Sequence, residues 1–373
     1  MAGEQGARVL LTADTVGGVW TYAVELSRAL AARGLQVHLT TMGAALSLPQ
    51  RQELAGTPVT LHESSFRLEW MPQPWADVER AGEWLLDLER QLQPDLVHLN
   101  QFAFGALPWR APTLLVAHSC VVSWWQAVHG QDPGPDWAAY RACVMRGLTG
   151  ATLVGAPTLA MLRSLPANYG AGGSGLVLPN GRNPQRFAPG DKQPFILAAG
   201  RLWDEAKNLA VLDQAAQGLD WPVRVAGSCC GPDGTQRHPR TAEALGELPG
   251  PAMARLMGQA SIYCLPARYE PFGLSILEAA LCGCALVLGD IESLRETWDG
   301  AAVFAPSGDP AALRSALQRL IERPGDRAQL GAAARERALQ FHPERMAHAV
   351  LQAYGRIQPR LASDSKQEEL TCA

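Results

Sequence analysis

RVLLTADTVGGVWTYAVELSRALAARGLQVHLTT, residues 8–41, is the stretch from which the fold follows. The apolar run Arg8–Thr12 predicts a buried strand, and the polar residues 14–18 predict a turn. Apolar residues then recur at helical spacing as far as Gly34, and Gln36–Thr41 predicts a second strand. A strand, a helix and a second strand in this order are typical of a βαβ unit, which implies a parallel sheet.

The same alternation continues along the chain. More strands are expected at Val59–His62, Leu96–Leu99, Thr113–Ala117, Thr152–Gly155 and Leu176–Leu178. A second series is expected at Phe195–Ala199, Val223–Ala226, Ser261–Leu265, Ala285–Leu288 and Ala301–Phe304. The chain is therefore predicted to be an α/β protein with two doubly wound, Rossmann-like domains that face a cleft. We place the N-terminal domain at 1–190, the C-terminal domain at 191–345, a closing helix at 346–360 and a frayed tail at 361–373.

Composition limits the class of protein. The 373 residues suit two domains, and 47% hydrophobic residues can form substantial cores. A net charge of −4 argues against a partner that is a nucleic acid. We find neither a secretory signal nor a membrane-spanning run, and the eight cysteines, mostly in apolar stretches, resemble reduced core thiols. We therefore expect a cytoplasmic protein, for which peripheral contact with a membrane stays open.

Only three of the 32 basic residues are lysines. Lys192 falls in a linker and Lys366 in the tail, where any polar residue is expected to serve. Lys207 lies near the start of a predicted helix and therefore deserves a chemical explanation.

The segment Arg268–Ala280, RYEPFGLSILEAA, carries the strongest chemical signal. It follows a predicted strand and opens a predicted helix, Gly273–Cys282, with Pro271 in a position that suits a first helical turn. The amides of Phe272, Gly273 and Leu274 would then lack helical partners. Glu278 lies eight residues after Glu270, or ~12 Å along a helix, so the two carboxylates can meet opposite ends of one extended ligand.

This segment resembles the E-x7-E motif of family 4 retaining glycosyltransferases, which have the GT-B fold. Other matching stretches are Gly17-Gly18, 177–181, Gly200-Arg201-Leu202, Lys207-Asn208 and 283–287. The resemblance implies that Glu278 binds the donor ribose, and that Glu270 and the amides of Phe272, Gly273 and Leu274 hold the donor sugar. We also expect the C-terminal helix to cross back to the N-terminal domain.

The resemblance also assigns Arg201 and Lys207 to the donor diphosphate. Two cations beside a helix start can stabilise the charge of the leaving group without a metal or other cofactor. Gly17 and Gly18 would form a loop over the donor, because paired glycines bring backbone amides close to a ligand. His118, at a strand end, would lie near the donor sugar. Each of these assignments has a structural alternative. Arg201 and Lys207 could be solvated cations, Gly17-Gly18 could form a plain tight turn, and His118 could be a packed histidine. His98 is interpreted as a core residue.

The expected reaction transfers a hexosyl group from a nucleoside-diphosphate sugar to an acceptor hydroxyl with retention, assisted by His118, Glu270, Arg201 and Lys207. The acceptor, which is a carbohydrate, a lipid or a small molecule, should bind in the N-terminal half. Trp124 and Trp125 are candidates for stacking on it, with core packing as the alternative.

Two features depart from the family pattern. Arg268 stands where many relatives have a small residue before the first glutamate. Residues 290–296, DIESLRE, replace a common glycine-containing turn. These departures leave the donor sugar and the acceptor undefined.

Three alternative functions stay open. A GT-B epimerase would change the sugar of a nucleotide sugar, and a non-catalytic protein would only bind it. A membrane-bound lipid glycosyltransferase would need an anchor, but 13 basic and 14 acidic residues up to Phe187 include no polybasic segment that stands out.

Overall fold

The computed structural model describes residues 6–231, 234 and 236–361. The chain divides into two compact units. Unit 1 contains the residues up to Ser123, Asp132–Gly181 and the residues from Pro343 onward, and unit 2 contains Trp124–Gln131 and Arg182–His342. The tail predicted at 361–373 lies, apart from Leu361, outside the described residues.

Unit 1 contains a seven-stranded parallel sheet in the order β3-β2-β1-β4-β5-β6-β7. The strand order reverses between β1 and β4, and the carboxyl ends of strands at such a point are where ligands bind in open α/β sheets. Its strands are β1 Arg8–Asp14, β2 Gln36–Met42, β3 Val59–Glu63, β4 Leu96–Leu99, β5 Thr113–Val116, β6 Leu153–Ala156 and β7 Leu176–Val177. Its first six helices are α1 Gly18–Ala31, α2 Leu48–Leu54, α3 Trp75–Leu92, α4 Val121–His129, α5 Ala138–Gly150 and α6 Leu159–Tyr169, of which α4 ends in unit 2.

Unit 2 repeats the plan with a six-stranded parallel sheet in the order β10-β9-β8-β11-β12-β13. Here the order reverses between β8 and β11. The strands are β8 Gln193–Ala199, β9 Val223–Ala226, β10 Glu243–Gly246, β11 Ala260–Leu265, β12 Ala285–Gly289 and β13 Val303–Ala305. The helices are α7 Leu209–Ala216, α8 Gly250–Gln259, α9 Leu274–Leu281, α10 Glu292–Trp298, α11 Pro310–Glu322 and α12 Pro324–Ala338. The prediction of two doubly wound α/β sheets is confirmed.

The last helix, α13 Pro343–Ile357, belongs to unit 1. Its apolar face packs on α1 and the adjoining sheet, and Val350 and Tyr354 are wholly buried in that core. The helix begins at Pro343, as its sequence predicts, because proline suits a first helical turn. The division drawn at 345/346 therefore falls inside this helix, and unit 1 resumes at Pro343.

The chain passes from unit 1 to unit 2 at Gly181/Arg182, whereas the sequence analysis placed the boundary at 190/191. The segment between these positions packs within unit 2. The amide of Gly190 donates to Gly258 O at 3.0 Å, and Phe187 lies in the core beneath α9.

Candidate functional site

The glutamate-rich segment links β11 to α9 in unit 2. Gly273 has φ +88°, a left-handed conformation that glycine adopts without steric cost, and it precedes the first helical residue Leu274. The expected start at Gly273 with Pro271 in the first turn is therefore wrong, because Pro271 lies outside the helix. The amides of Phe272, Gly273 and Leu274 make no hydrogen bond to any residue that the structure describes. They remain available to a ligand.

Glu270 and Lys207 form an ion pair. Lys207 Nζ lies 2.6 Å from Glu270 Oε2, and only 15% and 13% of the two side chains are exposed. The sequence analysis assigned these residues to different parts of one ligand, and the structure brings them into direct contact. A pair so sheltered is costly to break by removing one partner, because an uncompensated charge would remain.

Arg201 lies after β8 and pairs with Asp204, with 3.1 Å between Nη2 and Oδ2. The other oxygen of this nearly buried carboxylate accepts from the amide of Ala206 at 3.0 Å and from Trp124 Nε1 at 2.9 Å. Asp204 therefore fixes the loop that carries Arg201. The indole N–H of Trp124 is engaged in this contact, and Trp125 lies beside it in the same helix. Both tryptophans belong to unit 2, although the sequence analysis counted them in the N-terminal half, because the segment Trp124–Gln131 packs with unit 2.

Asn208 anchors the residue beside Lys207. Its φ of +61° ends a short 3-10 turn, and its buried amide donates to Pro266 O at 2.9 Å and to Ser307 O at 2.5 Å. These bonds tie the loop after β8 to the loops after β11 and β13. The Lys207-Asn208 dipeptide thus combines a charge with the residue that positions it.

Glu278, the second glutamate of the motif, contacts Arg182. Glu278 Oε1 lies 2.8 Å from Arg182 Nε, and both side chains are largely buried. The guanidinium of Arg182 also lies over the ring of Phe187, at 4.9 Å from its centroid. The sequence analysis missed Arg182, although this residue directly follows the family-like stretch 177–181.

His118 lies in unit 1, two residues after β5. Its Nε2 is 2.8 Å from Asn100 Oδ1, while Asn100 Nδ2 donates to the carbonyl of Thr12 at 2.6 Å. Because that carbonyl can only accept, the amide oxygen of Asn100 must face the histidine. His118 therefore carries its proton on Nε2 and leaves Nδ1 as an acceptor. The sequence analysis also missed Asn100, the residue that follows β4.

Burial holds His98, inside β4, and His118, after β5, in the neutral form. It lowers the pKa of His118 from 6.5 to about 3, and it also lowers the pKa of His98 to about 3. His98 contacts the hydroxyls of Tyr22 at 3.3 Å and Tyr354 at 2.7 Å and is fully buried, which confirms its interpretation as a core residue. His118 at pH 7 can therefore accept a hydrogen bond from a hydroxyl but carries no charge.

Gly17 and Gly18 lie exposed at the start of α1. Gly17 is the N-cap with φ +104°, no side chain caps the helix, and its first turn contains no acidic residue. The open amides at this start suit an anionic or polar ligand. No group of three or more histidine, cysteine or acidic side chains in the described parts of the chain could hold a metal ion. None of the helices that the structure describes is long and apolar enough to cross a membrane.

Two family models match the chain. One, described as Glycosyltransferase Family 4, matches residues 16–186, and the other, described as Glycosyl transferases group 1, matches residues 180–337. The first therefore covers most of unit 1 and the second covers most of unit 2.

Curated relatives are similar over almost their whole length. The D-inositol 3-phosphate glycosyltransferase of Geodermatophilus obscurus is 28% identical over 95% of this chain and 88% of its own. The phosphatidyl-myo-inositol mannosyltransferase of Mycobacterium leprae is 26% identical over 91% of this chain and 93% of its own.

Solved structures share the architecture. Sucrose-phosphate synthase from Thermosynechococcus elongatus has a TM-score of 0.77 at 19% identity, over 95% of this chain and 100% of its own. Anabaena Alr3699/HepE, solved in complex with UDP and glucose, has a TM-score of 0.73 at 14% identity, over 94% of this chain and 100% of its own. At these identities the likeness shows the fold alone.

Proposed function

Because the chain belongs to the GT-B glycosyltransferases that join a family 4 module to a group 1 module, we propose that it transfers a hexosyl group from a nucleoside-diphosphate sugar to an acceptor hydroxyl with retention of configuration. The reaction needs no metal and no cofactor. The observation that carries the proposal is the grouping of Lys207, Glu270 and three unpartnered amides beside the strand reversal in unit 2.

The ion pair between Lys207 and Glu270 suggests how the donor binds. A diphosphate offers Lys207 a stronger anionic partner, so Glu270 is released to accept hydrogen bonds from sugar hydroxyls. Glu278 accepts from the ribose hydroxyls, and Arg182 keeps this carboxylate oriented. The free amides of Phe272, Gly273 and Leu274 donate to the sugar.

During transfer the bond from the sugar C1 to the leaving diphosphate breaks, and the bond from the acceptor oxygen to C1 forms on the same face. The acceptor proton passes to the leaving phosphate oxygen. Lys207 and Arg201 stabilise the charge that develops on the diphosphate, and fixed cations do this without reorganisation. His118 accepts a hydrogen bond from a sugar hydroxyl through its unprotonated Nδ1.

The substrates and location complete the proposal. The curated names of the relatives favour a polyol, carbohydrate or lipid acceptor, and Trp124 and Trp125 are the aromatic candidates beside it. A lipid acceptor would bring peripheral contact with a membrane. The seven cysteines within the described residues are free thiols, five of them buried, which supports a reducing, cytoplasmic location.

The substitution Lys207→Met tests the role of the ammonium group. Loss of one fixed charge at a developing anion typically lowers kcat by about 10²–10³, so we expect at least a hundredfold loss of transfer from nucleotide sugars. Lys192→Met is the matched control, because it removes a lysine of the same unit that lies away from the pair, and it should keep transfer within threefold. Activity of Lys207→Met close to the wild-type level would overturn the assignment.

The products distinguish the alternatives. Transfer with retention gives an acceptor glycoside whose anomeric coupling in proton NMR matches that of the donor. An epimerase would instead change the sugar in the absence of any acceptor. A binding protein would bind the nucleotide sugar and leave it intact.

A further inference from the structure

The two departures from the family pattern lie in one pocket of unit 2. Arg268 follows β11, Asp290 and Ile291 follow β12, and Ser307 follows β13. All four line a pocket of about 480 Å³ at the carboxyl ends of these neighbouring strands. This volume lies within the ordinary range of small-molecule sites.

Arg268 is the unbalanced charge in this pocket. Its amide donates to Ala206 O at 2.8 Å, but its guanidinium makes no ion pair or hydrogen bond with any described residue. Arg182, Arg201 and Lys207, in contrast, each face a carboxylate of the same unit. A partly buried guanidinium without a counter-charge favours an anion from outside the chain.

Asp290 does not neutralise Arg268. Its carboxylate is engaged by Arg295, through Nε and, at 2.8 Å, through Nη2, and these hydrogen bonds lower its pKa. Arg295 is shared with Asp299, whose mostly exposed carboxylate lies 3.6 Å from Nη1. Both carboxylates are thus engaged by Arg295, and Arg268 stays without a carboxylate partner among the described residues. The carboxylate oxygens of Asp290 can still accept hydrogen bonds from hydroxyl groups.

The floor of the pocket is preorganised. Ser307 Oγ donates to Ala267 O at 2.8 Å, and Ser307 O accepts from Asn208. A side chain at Gly289 would place its Cβ 2.2 Å from Ala267 O and 2.7 Å from Ser307 Oγ. The three strand ends therefore approach as closely as a glycine permits, and the pocket does not depend on a ligand to form.

We propose that this pocket binds the anionic group, a phosphate or a carboxylate, of a polyhydroxylated acceptor, with Arg268 as its receptor and Asp290 as an acceptor for neighbouring hydroxyls. The proposal rests on the glycosyltransferase function. It places a determinant of acceptor specificity in unit 2, next to Glu270, where the sequence analysis had looked for the acceptor only in the N-terminal half. The donor diphosphate is assigned to Arg201 and Lys207 and does not occupy this pocket.

Calorimetric titration of three probes tests the proposal. Glucose 6-phosphate and inorganic phosphate carry the anion, and glucose is the uncharged counterpart. Each is titrated with and without saturating nucleoside diphosphate, for which UDP, GDP and ADP are first compared. We expect glucose 6-phosphate to bind at least tenfold more tightly than glucose, with or without the nucleotide.

Variants assign the binding to the guanidinium. Arg268→Gln should lower the affinity for glucose 6-phosphate at least tenfold and leave the affinity for nucleoside diphosphate unchanged. The affinity of Arg268→Lys for glucose 6-phosphate should lie between those of Arg268→Gln and the wild type. Arg255→Gln is the matched control, since Arg255 is an exposed arginine of α8 without an ionic partner among the described residues, and it should bind like the wild type. Thermal unfolding midpoints establish that the variants are folded.

Three results would overturn the proposal: no preference for the charged probes in the wild type, displacement of glucose 6-phosphate by the nucleotide, or equal binding by Arg268→Gln. The nucleotide titration also keeps the two proposals apart. Binding of a nucleoside diphosphate without binding of the charged probes would contradict the proposed anion site and leave the transferase proposal intact. Absence of nucleotide binding would instead count against the transferase function.

Discussion

At the scale of single residues, the acids and bases of the site are held by partners of their own. Glu270 faces Lys207 and Glu278 faces Arg182, so each carboxylate is held in place by a cation before a ligand arrives. Asn100 does the equivalent for a neutral group, because it selects the tautomer of His118. The ligand then replaces contacts that already exist, so fewer side chains have to be ordered when it binds.

Asn100→Ala tests whether the tautomer of His118 matters. The variant removes the acceptor at Nε2, so the imidazole can rotate or move its proton to Nδ1. We expect kcat to fall about tenfold while the affinity for nucleoside diphosphate is unchanged, since the loss of one hydrogen bond of about 1.4 kcal/mol in the transition state corresponds to a tenfold lower rate.

Asn100→Asp separates orientation from packing in the same residue. A carboxylate in this place still accepts from Nε2 and also stabilises the imidazolium, so it should raise the pKa of His118, as followed by its NMR titration. A purely structural role for Asn100 would lower the activity of both variants and leave the titration of His118 where it was.

The residues of the site were predictable to different degrees. Glu270, Glu278, Arg201 and Lys207 occur in short motifs whose spacing reflects local geometry. The pairing of Arg182 with Glu278 joins residues 96 positions apart, and only the folded sheet brings them together. Asn100 carries no local signal either, because its effect depends on a carbonyl of β1 and a histidine after β5.

At the scale of elements, every strand that was predicted lies within two residues of its expected bounds, and one polar edge strand was missed. β4 and β9 have the expected bounds, since both are short, mostly apolar segments in the interior of their sheets. β10, an edge strand reading EALG, was missed because its mostly exposed residues show no apolar alternation. The helix whose start was predicted near Lys207 begins at Leu209, because the left-handed backbone of Asn208 precedes it.

Lys192 shows a structural role that the sequence analysis did not assign. Its ammonium donates to Ala260 O and Cys282 O, each at 2.8 Å, and these residues are the C-caps of α8 and α9. The expectation that any polar residue would serve there is therefore wrong. A cation favours the unpaired carbonyls and the negative end of a helix.

Lys192→Met should accordingly lower the stability of unit 2. We expect a loss of about 1 kcal/mol, the size typical of a cation at a helix C-terminus, measured by chemical or thermal unfolding. Arg255→Met, at an exposed arginine of α8 without an ionic partner among the described residues, provides the comparison and should keep the wild-type unfolding midpoint. An unchanged unfolding midpoint in Lys192→Met would show that solvent replaces the ammonium without cost.

At the scale of the whole molecule, buried neutral histidines make stability depend on pH. His98 and His118 remain unprotonated in the native state down to a pKa of about 3, whereas an unfolded chain binds protons from about pH 6.5 downward. Because the unfolded state then holds more protons than the native state, stability should fall as the pH drops from 6.5 towards 3.

The substitution His98→Gln isolates one of these contributions. Glutamine can keep a hydrogen bond to a tyrosine hydroxyl but does not titrate. The unfolding free energy of the wild type should lose up to ~1.4 kcal/mol per pH unit more than that of the variant between pH 5.5 and 4. Parallel pH curves for the two proteins would mean that His98 is protonated in the native state.

The return of α13 to unit 1 bears on how the chain folds while it is being synthesised. The core of unit 1 includes Met346, Val350 and Tyr354, so this core is incomplete until α13 has left the ribosome. Unit 2 has its six strands and six helices in one continuous segment, 182–342, which emerges earlier. The usual order, in which the N-terminal domain folds first, is therefore reversed for the final step. The half of the protein that is translated first is the half that is completed last.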